Sequence, residues 1–171
     1  MAIDIRGLRS DDIPAITATD GGNGWNPAPA LWNQYWAEQQ AGTRTVLVAW
    51  NGTRPIGYGT LVWLSDYEPF RTRDIPEINN LSTAHAHRNR GVATAVIAAL
   101  EATARTAGKT TIGLGVGLYA DYGDAQRLYA HLGYCPDGRG ITWQGRPVEP
   151  GEQVRLDDEL ILWLAKPLRS R

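Results

Sequence analysis

The chain has 171 residues, a formal net charge of −1 and one cysteine. That length suits one domain with a core of ordinary size, the near-neutral charge argues against nucleic acid as a partner, and the lone Cys135 excludes an internal disulfide framework and suits a reducing compartment. No apolar run approaches a membrane span, and the first residues, with Asp4, Arg6 and Arg9, lack the apolar core of a signal peptide, so a cytoplasmic protein with no membrane partner is expected.

Residues 3–8 alternate apolar and polar and predict a first strand. Ser10 stands as the capping residue of a helix over 10–19, with Asp11 and Asp12 suited to its first turn. The glycines and prolines of 20–29 predict a loop. Over 30–42, Leu31, Trp32, Tyr35 and Trp36 fall at helical spacing, and Gly42 stops the helix. Residues 43–50 and 54–64 read as paired strands, with Asn51-Gly52 as the hairpin turn. A polar connection over 66–76 leads to a fourth strand at 77–84, unusually polar. The run 91–108 predicts a helix of about 16 residues, with Val92, Val96 and Leu100 as one stripe and Gly108 closing it.

The fifth strand, 110–120, carries an oddity. Gly113, Gly115 and Gly117 recur at period two and share one bare face, while Ile112, Leu114, Val116 and Leu118 share the other. Such a strand makes sense if another body must lie close against it. A short helix over 122–134 follows. Residues 135–159 are rich in Gly, Pro and charge, with a hairpin expected around 142–148, and 159–168 is a final, largely buried strand. The element order predicts an α/β fold with a mixed, partly antiparallel sheet, in which strands four and five form a right-handed parallel crossover.

The stretch before the long helix is the most informative. His87, Arg88 and Arg90 stand where the positive end of the helix dipole already lies. Adding cations there is unfavourable unless an anion arrives. The N–H groups of Arg90 through Thr94 can converge on one point, Gly91 permits close approach, Ala93 leaves room and the Thr94 hydroxyl adds a donor. This is a phosphate cradle.

The segment Arg88-Asn89-Arg90-Gly91-Val92-Ala93 resembles the pyrophosphate signature Q/R-x-x-G-x-G/A of the GCN5-related N-acetyltransferase superfamily. The later segment Ala125 to Tyr134 is similar to that family's A-x-x-x-Y-x-x-x-G-F/Y, and the element order agrees over almost the whole chain. The resemblance implies one acyl-CoA-dependent N-acyltransferase domain over 1–171, whose mostly antiparallel sheet splays between strands four and five and is flanked by helices. It implies acetyl-CoA as co-substrate and no metal. The coenzyme would touch Leu81, Ser82 and Thr83 on the fourth strand, then Arg88, Asn89, Arg90, Gly91, Val92, Ala93 and Thr94, and finally Tyr122 and Ala125. Tyr129 matches the family's general acid for the leaving thiolate. Glu77 matches its general base, in some members acting through water. A protonated amine cannot attack a thioester, so such a base is required; a strand N–H near Thr83 would supply the oxyanion donor. Four positions depart from the family pattern: Asn89 for glycine, Thr83 for valine or isoleucine, His85 for proline and Tyr122 for asparagine.

Blander readings stand beside these. Tyr129 is also a normal core aromatic, and Glu77 a normal strand-end carboxylate. His85 and His87 lack further ligands for a metal. Cys135 has no evident partner as a nucleophile. The glycines of 113–117 are wrongly spaced for a dinucleotide turn, and Ser82 has no nucleophile elbow. Asp66, Glu68, Asp157 and Asp158 offer an acidic rim or merely a solvated face. The expected reaction is acetyl transfer to a primary amine of a small molecule by direct attack in a ternary complex. Protein or peptide N-terminal acetylation, and a CoA-binding sensor without turnover, are the alternatives. Free edge strands leave a homodimer open.

Overall fold

The computed structural model describes residues 3–18 and 28–168, so most of the loop expected over 20–29, Trp25 included, lies outside the described residues. Eight strands form one sheet in the order β1-β2-β3-β4-β5-β8-β6-β7. They are β1 (Asp4–Gly7), β2 (Arg44–Asn51), β3 (Arg54–Val62), β4 (Glu77–Thr83), β5 (Thr111–Gly117), β6 (Cys135–Trp143), β7 (Arg146–Pro147) and β8 (Leu160–Pro167). The helices are α1 (Ile13–Thr17), α2 (Pro29–Gln40), α3 (Glu68–Arg71), α4 (Val92–Thr106) and α5 (Gly123–His131). All neighbouring strands are antiparallel except β4 and β5, which run parallel because α4 carries the chain back between them.

Local chemistry corrects three expectations. Ser10 does not cap a helix; it opens a short 3-10 turn, and its hydroxyl donates to Asp11. The Arg9 N–H goes instead to the Asp12 carboxylate, which also holds Arg6 at 2.6 and 2.7 Å. The Asp12 N–H, which a Ser10 cap could have claimed, donates to the Arg9 carbonyl at 3.1 Å. In the β2–β3 hairpin Asn51 pairs with Arg54, so Gly52 and Thr53 form the turn and Gly52 takes the positive φ of 61°. Residues 66–76 are more than a polar connection, since α3 drives Phe70 into the interior with Tyr67 and Ile75 beside it.

One face of the sheet packs on α4 through Val92, Val96 and Leu100, all buried. Gly57 and Gly59 of β3 make this approach possible: a Cβ on either would lie 2.7 Å from Val92 Cγ1 or 2.8 Å from Val96 Cγ1. The opposite face packs on α1 and α2, where Trp32 meets Tyr58 edge-on at 4.9 Å and Tyr35 at 5.7 Å. Burial of each such ring contributes on the order of 2–3 kcal/mol.

The bare face of β5 is filled by the chain itself. A Cβ on Gly113 would fall 2.3 Å from the Phe70 ring, one on Gly115 would fall 2.7 Å from Ile161 Cγ2, and one on Gly117 would fall 2.4 Å from the Tyr122 ring. The body expected against this strand is thus three side chains from three other segments. Phe70 cannot retreat, because Tyr67 and Trp163 stand edge-on to it at 5.0 and 5.5 Å. Gly113→Ala should therefore cost about 1–3 kcal/mol by overpacking. A denaturant midpoint equal to that of the parent would show that the ring has room to move.

Candidate active site

The β4 and β5 strands are paired only where they begin, at Glu77↔Gly113 and Ile78↔Leu114. Just beyond, β4 bulges: Asn79 faces Thr60 and Ser82 faces Tyr58, so β4 fits three steps against two of β3. Asn80 absorbs the extra residue at φ 53°, and its Nδ2 donates to the Tyr35 hydroxyl at 2.7 Å, pinning the bulge to α2. A bulge bends its strand and sharpens its twist. Here β4 turns away from β5, and a cavity of about 410 Å³ opens between them.

The wall from β4 is Leu81, Ser82 and Thr83, and that from β5 is Gly115 and Val116. The backbone of β4 beyond Ile78 has no β5 partner. At the outer end stand His87, Arg88, Asn89, Gly91, Val92, Ala93 and Thr94. Asn89 and Gly91 are left-handed, at φ 58° and 79°, and they swing the chain into α4. The first helical bond there runs from Ala95 N–H to the Gly91 carbonyl, so the amides of Val92, Ala93 and Thr94 lack a helical acceptor. Neither Arg88 nor Arg90 forms an ion pair among the described residues. Free amides, the helix dipole and an unpaired guanidinium together favour an anion of phosphate type. Two buried polar atoms of wall residues, Thr83 Oγ1 and His87 Nδ1, also make no hydrogen bond.

The third wall comes from α5 and the turn before it: Asp121, Tyr122, Asp124, Ala125, Leu128 and Tyr129. Tyr129 is buried, and that burial, with Tyr122 adding to it, pushes its hydroxyl up to about 12. The phenol is therefore a neutral proton donor across the ordinary pH range. The Tyr122 ring lies on Gly117 and its hydroxyl donates to Asp158 at 2.9 Å, as does that of Tyr119. Asp157 accepts from Trp143 Nε1. Two of the four acids considered for a rim are therefore holding aromatic side chains.

Of the residues that the resemblance assigned to the coenzyme and to catalysis, all but two line this one cavity. Arg90 is exposed and off the wall. Glu77 is buried at the paired end of β4, where one carboxylate oxygen accepts from Ser65 Oγ at 2.5 Å and the other from Asn79 Nδ2 at 3.1 Å. Its surroundings are polar: Arg44 donates to Thr60 Oγ1 at 2.7 Å, and Thr60 to the Asn79 carbonyl at 2.7 Å. Sequence reading did not place Gly115, Val116, Leu128, Asp121 or Asp124 on this wall, and it named His87 at the helix mouth without placing it there. The adjacency of His87 to the arginine signature was the available signal. The others depend on how β5 and α5 fold back.

Among the described residues no group of three or more His, Cys, Asp or Glu side chains is placed to hold a metal ion, and no helix is long and apolar enough to cross a membrane.

This architecture has close parallels. A family model described as acetyltransferase (GNAT) family matches residues 12–134. No curated protein matches by sequence. Among solved structures, an N-acetyltransferase from Thermoplasma acidophilum in complex with coenzyme A is 12% identical with a TM-score of 0.68, covering 98% of this chain and 99% of its own. A spermidine/spermine N-acetyltransferase from Vibrio cholerae is 16% identical with a TM-score of 0.66, covering 98% and 95%. The ribosomal-protein-S18-alanine N-acetyltransferase of Escherichia coli is 16% identical with a TM-score of 0.66, covering 99% and 96%. At these identities the likeness is one of fold.

Proposed function

The chain belongs to the GNAT acetyltransferase family, and from that premise we propose that it acetylates the primary amine of a small molecule by direct attack in a ternary complex. It is an acyltransferase, with acetyl-CoA as co-substrate. The observation that carries the proposal is a single cavity joining the free amides at the start of α4, the edge of β4 that has no β5 partner and the buried Tyr129.

In this reading Arg88, Asn89, Gly91 and the amides of Val92 to Thr94 hold the diphosphate, with Ala93 leaving it room and Arg90 adding field from outside the wall. Leu81, Ser82 and Thr83 pair with the pantetheine arm, and Tyr122 and Ala125 close the other side. The amine nitrogen bonds the acyl carbon while the carbonyl π pair moves onto oxygen, and collapse of that tetrahedral oxyanion breaks the carbon–sulfur bond. One proton leaves the nitrogen, and Tyr129 gives another to the sulfur. The Ala84 N–H is already spent on the Ile56 carbonyl, so the oxyanion donor is an N–H of 79–83 on the edge of β4 that has no β5 partner. Glu77 sits off the cavity wall with both oxygens engaged, which favours its acting as base through a water. Positioning of the amine supplies much of the rate.

The proposal takes residues 1–171 as one such domain, working in the cytoplasm. The small-molecule acceptor rests on the absence of a basic excess and on the exposed acids Asp66 and Glu68, which suit a compact cation. The test is an acceptor panel with acetyl-CoA, reading free thiol. Amino acids, polyamine-like amines or amine-bearing antibiotics should support turnover. Turnover with peptide N-termini alone would replace this acceptor class with protein acetylation. Tight CoA binding with no acceptor would leave the sensor reading.

A further inference from the structure

The cavity wall at Tyr122 is held from outside the cavity. The Tyr122 ring is half-buried and rests on Gly117, where a Cβ would fall 2.4 Å from it. The Tyr119 ring meets it edge-on at 5.0 Å. Both hydroxyls donate to one oxygen, Oδ1 of Asp158, the Tyr122 bond measuring 2.9 Å. Asp158 lies 36 residues further on, in the turn that leads into β8. That turn is itself fixed. β8 begins at Leu160, and the Asp157 carboxylate accepts from Trp143 Nε1 and from the Glu159 N–H, each at 3.1 Å. The Tyr119 and Tyr122 donors hold the Asp158 carboxyl below its usual range, so it is ionised at neutral pH. An ionised acceptor makes the stronger hydrogen bond.

We infer that Asp158 is a positioning residue for the coenzyme: it holds the Tyr122 ring in the cavity wall and so raises the affinity for acetyl-CoA. The inference rests on the coenzyme reading above, in which Tyr122 closes the side of the cavity opposite β4. Tyr122 lines the cavity and Asp158 does not, so the carboxylate acts on the coenzyme through the phenol. Gly117 gives the ring a floor and Tyr119 gives it a side. Neither contact fixes where the hydroxyl end points; the bond to Asp158 does. Tyr122 also stands where the family pattern has asparagine. Its longer side chain carries the polar end past the wall, and Asp158 meets it there. A ring free to turn would keep its wall orientation only part of the time, and the affinity for a ligand of that wall falls by the same fraction.

The experiment measures CoA binding by calorimetry, with kcat and the KM values for acetyl-CoA and one active acceptor, in the parent, Asp158→Ala, Asp158→Asn and Tyr122→Phe. Asp158→Ala should weaken CoA binding and raise the KM for acetyl-CoA about 10-fold, with kcat and the acceptor KM within about 2-fold of the parent. Asp158→Asn keeps an oxygen that both phenols can reach and should recover most of the loss. Tyr122→Phe keeps the ring without its hydroxyl and should weaken CoA binding about as much as Asp158→Ala. Joining those two changes should add nothing further, because they remove the same bond. CoA binding to Asp158→Ala equal to the parent's overturns the inference. So do additive losses in the double variant, and so does an asparagine variant as weak as the alanine one, which would make charge the cause. A rise in the acceptor KM in place of that for acetyl-CoA also overturns it. If CoA does not bind the parent at all, it is the coenzyme reading that fails.

Discussion

Tyr129→Phe is expected to lower kcat by about 100-fold to 10,000-fold while CoA binding, read by calorimetry, stays within a factor of about 2 of the parent. The ring would stay where it is, in the core and edge-on to Tyr134 at 6.1 Å. Only the hydroxyl is lost, and no hydrogen bond to another residue is lost with it among the described residues. A purely structural Tyr129 would therefore leave kcat nearly unchanged, and that result would remove the general-acid assignment. The pH profile adds a second check. Burial holds the phenol proton to about 12, so ionisation of this group cannot cause a fall in rate below roughly pH 10. The same shift has a stability consequence. The unfolded chain releases the proton near 10 and the folded chain near 12, so stability falls as pH rises through that window. The phenylalanine variant lacks this contribution and should be less sensitive there.

Glu101→Ala should destabilise the fold by about 3–5 kcal/mol, or lower the melting temperature by on the order of 10 °C. Glu101 is buried in the middle of α4. Its Oε1 accepts from the Tyr134 hydroxyl at 3.0 Å and from Lys166 Nζ at 2.7 Å, and its Oε2 accepts from Arg105 at 3.1 Å. Removing it strands a buried phenol and a mostly buried ammonium, which also lies over the Tyr134 ring. Arg105 is the more exposed partner and contributes little. Glu101→Gln separates charge from hydrogen bonding: it keeps an acceptor for Tyr134 and should lose less. Denaturant titration of the two variants decides. An alanine variant within about 1 kcal/mol of the parent would show that this network is incidental.

Glu101 also marks where sequence reading ends. The stripe Val92, Val96, Leu100 is visible as period-3.6 patterning, and it is buried as expected. A glutamate one residue past Leu100 reads as the start of the solvated face. It is buried because α4 is covered over a wider arc, by β8 through Lys166 and by the chain after α5 through Tyr134. Those partners lie 65 and 33 residues away, beyond the reach of any local pattern. Gly57 and Gly59 pass for ordinary strand residues until α4 is docked on them.

The signature Arg88 to Ala93, the close approach that Gly91 permits and the element order around α4 are local properties, written in dihedral preference, dipole and hydrophobic period, and the chain alone determined them. The same holds for the bare face of β5. What covers that face, the place of Glu77 off the cavity wall and where the bulge at Asn80 opens the sheet were decided only by tertiary structure. Each depends on side chains from distant segments competing for one space, and such a competition has no period along the chain.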